Sequence, residues 1–449
     1  MTRANLLSCL QDNHQPGISH CTMEIEDLYL KYKASGKVST DTRRIEAGSV
    51  FFALKGDRFN ANEFAKEALD KGASFAVIDE EQHRVDDRCI LVPDVLKVLQ
   101  QLARHHRNQL KIPVIGLTGS NGKTTSKELV SIVLRQNYKT YATRGNLNNH
   151  IGVPLSILDI DSSIEIAVIE MGANHLGEIA FLCEIANPTH GFITNIGRAH
   201  IGTFGGQENI IRAKSELYQH LLTHNGIVFI NSQHHVLAEM ATRFKSPVLY
   251  PGKDDYCRVE LLGAEPYVKI RVENGDEVQT HLIGSYNFEN IAVALCIGKF
   301  FGVDTRQAGE AVASYKPDNM RSQVVKRGSN TIILDAYNAN PSSMQAAIEN
   351  LANMKAARKV LILGDMYELD PESEKEHRML GGLIRERNFN EVYLCGDQIK
   401  VVKELVPDAQ YFSRKEELIE ELKHTLITNA SILVKASRGV GLESVVEYL

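Results

Sequence analysis

Short apolar runs alternate with longer amphipathic stretches along most of the chain, a pattern that predicts strands interleaved with helices. Near the start, strand-like runs at 49–54 and 74–78 flank a helical piece at 63–71 that closes at Gly72. Residues 95–109 place charged and apolar positions at helical spacing and predict an amphipathic helix leading to Pro113. Its His105-His106-Arg107 cluster reads as a solvated face, because neighbours on a helix point apart. Apolar strands at 114–117, 165–170 and 191–195 then alternate with helical stretches, which predicts a mostly parallel α/β sheet. From Pro317 onward, strands at 331–334, 359–363, 391–394 and 431–434 predict a second, smaller doubly wound sheet. The expected fold class is therefore α/β, with three domains at 1–110, 111–316 and 317–449.

Composition narrows the class. A length of 449 residues suits about three domains, and 43% hydrophobic with 24% charged residues is ordinary for a soluble globular enzyme. The net charge of −6 comes with no basic run, so no nucleic-acid partner is expected, although a local site can still take a small acidic ligand. Cys9, Cys21, Cys89, Cys183, Cys257, Cys296 and Cys395 are scattered singly, without C-x-x-C or zinc spacing. That suggests reduced thiols and a cytoplasmic location. The first residues lack an apolar signal core, and no long uncharged apolar run predicts a membrane span.

The richest chemistry lies at 114–125. An apolar strand runs into Gly119-Ser120-Asn121-Gly122-Lys123-Thr124-Thr125, and a helix-forming stretch follows from Ser126. Glycines let a turn wrap a phosphate with its N–H groups, and a helix N-terminus adds a favourable dipole. Lys123 is placed to meet the outer phosphates and the Thr124 hydroxyl to ligate Mg²⁺, so the chain is expected to bind a nucleoside triphosphate. The common P-loop has glycine where Leu117 stands, and the glycines here are Gly116, Gly119 and Gly122.

Other candidates are less specific. Glu170 ends an apolar strand, as an acid that holds Mg²⁺ beside a triphosphate would. His200 follows another strand and is either a metal ligand or a plain loop histidine. Lys214, on local sequence alone, is a surface lysine. The amide-rich turn with Asn148 and Asn149 caps the next helix or binds a polar ligand, capping being the default. Asn287 and Asn290 open a helix as a cap or a base-binding edge. Asn340 and Pro341 fit a helix cap and first turn. Gly439-Val440-Gly441 lacks the third glycine and the following βαβ unit of a dinucleotide fingerprint.

Together these residues resemble the Mur ligase family. The resemblance runs over nearly the whole chain: the loop at 118–125, 146–155, Glu170-Met171-Gly172-Ala173, 195–200 with Lys214, 335–344, 363–369 and 434–439. Residues 40–43 and 50–56 resemble the family's UDP-binding domain, and 337–344 with 363–369 resemble the branch that adds D-alanyl-D-alanine. The resemblance implies an ATP-dependent ligase. ATP would phosphorylate the terminal carboxylate of UDP-N-acetylmuramoyl-tripeptide, and the amine of D-alanyl-D-alanine would attack the acyl phosphate. It implies Lys123, His200 and Lys214 as catalytic residues. Thr124 and Glu170 would hold one Mg²⁺, and His200 with Lys214, carbamylated, a second. ATP would further contact Asn287 or Asn290 and Asn338 near adenine, Asp335 at the ribose and Arg321 at the phosphates, the last on domain closure. Thr42, Arg43, Asn148 and Asn149 would bind substrate, and the chain would be a monomer.

Departures from the family pattern are Asn60-Ala61-Asn62 for Asp-Gly-His, Thr42 for Ser and Ala436 for Gly. Other readings are a different Mur ligase, a folylpolyglutamate synthetase or, in another class, a non-catalytic nucleotide-gated scaffold. The third residue of the tripeptide, lysine or diaminopimelate, is left open.

Overall fold

The computed structural model describes residues 24–198 and 201–449. The chain divides into two compact units, Met1–Val98 and Leu99–Leu449, with the break inside the helix Val95–Gln109. The first unit carries a parallel sheet of four strands in the order Val38–Ser39, Val50–Phe52, Phe75–Ile78, Cys89–Leu91. Phe51, Ala76 and Ile78 of this sheet bury themselves against Ala65, Ala68 and Leu69 of the helix Ala65–Asp70.

The second unit is built on two six-stranded sheets and a small antiparallel one. In the first large sheet the order is Val248–Tyr250, Ile227–Asn231, His190–Ile193, Val114–Thr118, Ile166–Glu170, Thr140–Ala142, and every pair is parallel. The strand Val114–Thr118 is buried at every position, as its continuous apolar run requires. The chain leaves it toward one edge and later returns on its other side, so the strand order reverses there. In open parallel sheets, ligands bind beyond the carboxyl ends of strands at such a reversal. The helices Lys123–Leu134 and Asn287–Phe300 cover one face, joining Leu129, Val130, Val133, Ile291 and Leu295 in one core.

The second large sheet has the order Gln323–Arg327, Asn330–Leu334, Ser431–Lys435, Lys359–Gly364, Glu391–Cys395, Gln410–Phe412. Only its first pair is antiparallel. It has as many strands as its neighbour, so it is not the smaller sheet expected. Between the two in sequence lies an antiparallel sheet at Val259–Gly263, Lys269–Val272 and Glu277–Gln279, which the sequence pattern had not marked.

The helix expected at 95–109 is present, but its His105-His106-Arg107 cluster is not a solvated face. His106 and Arg107 are buried; His106 meets the Ile160 carbonyl at 2.8 Å, and Arg107 donates to the carbonyls of Ala186, Leu110 and Asn187. All but the Leu110 carbonyl come from remote segments, so local spacing could not announce the burial. Cys89, Cys183, Cys257, Cys296 and Cys395 are free and buried; Cys9 and Cys21 lie outside the described residues. Among the described residues, no helix is long and apolar enough to cross a membrane.

Candidate functional site

The loop after Val114–Thr118 is shaped by two glycines that nothing else could replace. Gly119 has φ +147° and Gly122 φ +76°. A Cβ on Gly119 would stand 1.9 Å from Thr194 Oγ1, and one on Gly122 2.3 Å from Asn290 Oδ1. Leu117, which first looks like a missing glycine, is a fully buried strand residue paired with Phe192 and Glu170; the turn begins after it. The next strand's end pins the loop: Ser120 N–H donates to the Asn195 carbonyl at 3.0 Å and Asn121 N–H to Asn195 Oδ1 at 3.0 Å. The helix begins at Lys123, three residues earlier than expected, so its first free N–H groups open onto the loop. Lys123 Nζ donates to the carbonyls of Gly119 at 2.7 Å and Ser120 at 3.3 Å. Burial holds its pKa below the usual lysine range; Glu170 opposes that shift and the charge of Arg321 adds to it.

Beside this loop, Thr124 Oγ1 donates to Glu170 Oε2 at 3.0 Å, and Asn148 Nδ2 donates to Glu170 Oε1 at 2.9 Å. Lys127 Nζ stands 3.6 Å from the same Oε2, and both side chains are buried. A hydroxyl and a carboxylate converging in this way are hard oxygen donors of the kind Mg²⁺ takes, so the residues fit that ion. Lys127 escaped the sequence reading; the available signal was its place one helical turn after Lys123. The amide-rich turn divides its labour. Asn149 Oδ1 accepts from the N–H groups of Ile151 and Gly152 at the start of the helix Gly152–Leu158, whereas Asn148 orients Glu170.

Lys214 is 1% exposed, not a surface lysine. Its helix, Gln207–Thr223, turns Ala213, Leu217 and Tyr218 to the core along with it. Its Nζ donates to the Ala173 carbonyl at 3.2 Å and lies 5.2 Å from the centre of the Phe204 ring. Burial, aided by the charge of Lys123, pulls its pKa down to about 7 against the opposing pull of Glu178 and Glu216. A neutral amine is thus accessible near neutral pH, which is what reaction with CO₂ needs. His200 lies outside the described residues.

The second large sheet supplies the facing wall. Lys435 Nζ donates to Asp335 Oδ2 at 2.6 Å and to the Asn338 carbonyl at 3.2 Å, while Ser322 N–H donates to Asp335 Oδ1 at 3.0 Å. Asn338 Oδ1 accepts from the N–H of Ala339 at 2.9 Å. Asn340 caps the helix Pro341–Asn353 as expected, with Pro341 in its first turn, and its Nδ2 reaches Asn121 Oδ1 at 2.8 Å. Asn287 and Asn290 are buried and bonded inward: Asn290 Oδ1 accepts from Ser126 Oγ at 2.8 Å and its Nδ2 donates to Asn287 Oδ1 at 2.8 Å.

One cavity of about 700 Å³ gathers most of these groups. It is lined by Ser120, Asn121, Gly122, Lys123, Thr124 and Thr125, by Asn148, Asn149 and Glu170, and by Asn287, Asn290, Arg321, Asp335 and Asn338. Thr42 and Arg43 belong to the first unit, on the short turn Thr42–Arg44, where Arg43 is exposed and paired with Asp41 at 2.8 Å. In that unit Asn62 is buried; its Nδ2 donates to Asp79 Oδ1 at 2.9 Å, and its Oδ1 accepts from Asp79 N–H at 3.0 Å. Asn60 Oδ1 in turn accepts from Asn62 N–H at 3.1 Å, so the departing Asn60-Ala61-Asn62 is internally consistent. Ala436 is tolerated because it faces Gly364, where an added Cβ would come within 2.8 Å of the Ala436 methyl.

Comparison with known proteins agrees with this architecture. The family profile described as Mur ligase family, catalytic domain, matches residues 36–107; that of the Mur ligase middle domain matches 117–298; and that of the Mur ligase glutamate ligase domain matches 320–438. The UDP-N-acetylmuramoyl-tripeptide–D-alanyl-D-alanine ligase of Bacillus subtilis is 34% identical, covering 92% of this chain and 92% of its own. That of Escherichia coli is 32% identical, covering 92% and 93%. Among solved structures, MurF from Acinetobacter baumannii superposes with a TM-score of 0.82 at 30% identity, covering 92% of each chain. MurF ligase from Thermotoga maritima in complex with ADP superposes at 0.81 with 28% identity, covering 92% of this chain and 97% of that one. The fold and site define a nucleotide-dependent ligase of the α/β class. The chain belongs to the Mur ligase family.

Proposed function

We propose that the protein is an ATP-dependent ligase that adds D-alanyl-D-alanine to UDP-N-acetylmuramoyl-tripeptide in peptidoglycan precursor synthesis. The observation that carries the ligase reading is the meeting of Thr124 and Glu170 at 3.0 Å beside Lys123, in one cavity with Arg321 and Asp335. The full-length likeness to relatives of that name carries the choice of substrates.

A carboxylate is a poor electrophile at neutral pH, and transfer of the γ-phosphoryl group gives it a leaving group. One P–O bond to ADP breaks and one to the carboxylate oxygen forms. The acceptor amine then attacks the carbonyl carbon, loses a proton, and the C–O bond to phosphate breaks. Both reactants are anions, so cations must offset their repulsion. Lys123 and Arg321 carry that charge from the chain itself. Thr124 and Glu170 would hold one Mg²⁺, and His200 with carbamylated Lys214 a second, the ions adding charge neutralisation at the transferred phosphoryl group. Asn287 or Asn290 with Asn338 would border adenine, and Asp335 the ribose. Asn148 keeps Glu170 turned toward Thr124, and Asn149 shapes the loop that carries Asn148.

Thr42 and Arg43 would bind the UDP end of the substrate. Domains at 1–110, 111–316 and 317–449 fit the three stretches that match family profiles. A monomer in the cytoplasm, with reduced thiols and ATP at hand, completes the reading.

The test is an acceptor panel. With ATP, Mg²⁺ and UDP-N-acetylmuramoyl-tripeptide, D-alanyl-D-alanine should release ADP in step with amide formation, while glutamate and diaminopimelate should not. ADP release with either of those and none with D-alanyl-D-alanine would reassign the protein within the family. Comparing tripeptides with lysine or diaminopimelate at the third position fixes the donor.

A further inference from the structure

Arg321 is displayed in an unusual way. Its neighbours Met320 and Ser322 have φ +57° and +51°, in the left-handed region that residues other than glycine seldom occupy. The pinch is held from four sides. Asn319 Nδ2 donates to Glu128 on the helix that follows the glycine loop, at 3.0 Å. Ser322 N–H donates to Asp335 at 3.0 Å, the Ser322 and Tyr286 hydroxyls meet at 2.9 Å, and Tyr337 N–H donates to the Met320 carbonyl at 3.3 Å. The outcome is an arginine lining the cavity with its guanidinium carbon 3.7 Å from the centre of the Tyr337 ring. The Arg438 guanidinium lies 4.9 Å from the same ring. Arg321 Nε is buried without a hydrogen-bond partner. A buried donor left unpaired in a polar cavity calls for an acceptor there.

We propose that Tyr337 is a positioning residue: its ring face fixes the Arg321 guanidinium in the orientation from which it meets the phosphates of the nucleotide. The inference rests on the reading of the cavity as an ATP site. A planar guanidinium stacked on an aromatic face loses little freedom when it binds, and the ring's quadrupole favours the charge. Two further features agree. The charge of Arg321 reaches Lys123, so two cations flank one end of the cavity. Tyr337 also sits directly after Asp335-Ala336, whose carboxylate Lys435 grips at 2.6 Å, so the ring rests on a fixed strand end. Arg438 reaches the same ring from the loop after Ser431–Lys435, which ties that loop to the platform.

The test is a double-variant cycle read by calorimetric binding of a non-hydrolysable ATP analogue with Mg²⁺ to the full chain. Arg321→Met should weaken binding by about tenfold, and Tyr337→Leu by about fivefold. Tyr337→Phe, which keeps the ring, should recover most of that loss. In the Arg321→Met background, Tyr337→Leu should add nothing. Arg321→Lys, which leaves Tyr337 intact and keeps the charge but not the plane, should lose about as much as Tyr337→Leu. An undiminished effect of Tyr337→Leu in the Arg321→Met background, or wild-type binding by Arg321→Lys, would overturn the proposal. Wild-type binding by Arg321→Met would instead remove the phosphate reading on which it rests.

Discussion

Two lysine–carboxylate pairs, each with its lysine buried, stand at strand ends of the two large sheets, and they are built differently. In one, Lys435 grips Asp335 at 2.6 Å, and a backbone N–H holds the other oxygen. In the other, Lys127 stands 3.6 Å from Glu170, whose oxygens are shared with the Thr124 hydroxyl and the Asn148 amide. The first carboxylate has fixed partners and anchors a strand end. The second shares its oxygens among side-chain partners, which suits the metal-holding role proposed for it. The same residue pairing is therefore held tightly in one wall of the cavity and loosely in the other.

The contrast breaks most sharply on the lysines. Lys435→Met leaves the half-buried Asp335 carboxylate without its counter-charge and should destabilise the fold by about 3 kcal/mol, read by denaturant unfolding. If that variant unfolds like the parent, Asp335 is not an anchor. On the other side, Glu170→Gln should keep the shape but lower kcat by about 100-fold, with weakened Mn²⁺ binding in the presence of nucleotide. Unchanged turnover would take Glu170 out of the metal corner.

Lys214, which donates to the carbonyl of the cavity-lining Ala173, extends the comparison through pH. Its pKa in the folded chain, about 7, lies below the ordinary lysine value of 10.5, so between these the unfolded chain binds the extra proton. Stability should therefore rise with pH across that window, and the Lys214→Met variant should lack this part of the slope. Uptake of ¹³CO₂ as a carbamate signal should grow as pH climbs through about 7 and vanish in the same variant. A pH-independent signal would place the label on another amine. The smallest effect is expected from Lys127→Met, about 1 kcal/mol, because Glu170 keeps Thr124 and Asn148 and has the charge of Lys123 nearby. A loss as large as that of Lys435→Met would erase the distinction between the two pairs.

How much of this was legible depends on the range of the forces involved. The glycine loop could be read because its demands are local: positive φ, close backbone approach, a lysine and a hydroxyl at the helix start. The Asn340-Pro341 cap was readable for the same reason. Lys214, Lys127 and the pair His106-Arg107 were not readable from spacing, because their burial is imposed by carbonyls and carboxylates far away in the chain. Family resemblance implied a role for Lys214 that its spacing did not suggest, and left Lys127 unnoticed. The antiparallel strands between 259 and 279 were missed because they are short and none is a continuous apolar run, although Lys269–Val272 alternates polar and apolar positions as a half-buried strand does.

The central claim is that the cavity aims a γ-phosphoryl group at a peptide carboxylate rather than at water. Isotope transfer tests it most directly. UDP-N-acetylmuramoyl-tripeptide labelled with ¹⁸O in its terminal carboxylate is turned over with ATP and D-alanyl-D-alanine, and the released phosphate is analysed by mass. One labelled oxygen per phosphate is the predicted result, since the carboxylate oxygen leaves with the phosphoryl group. Unlabelled phosphate, or phosphate that takes its oxygen from solvent, would contradict the account.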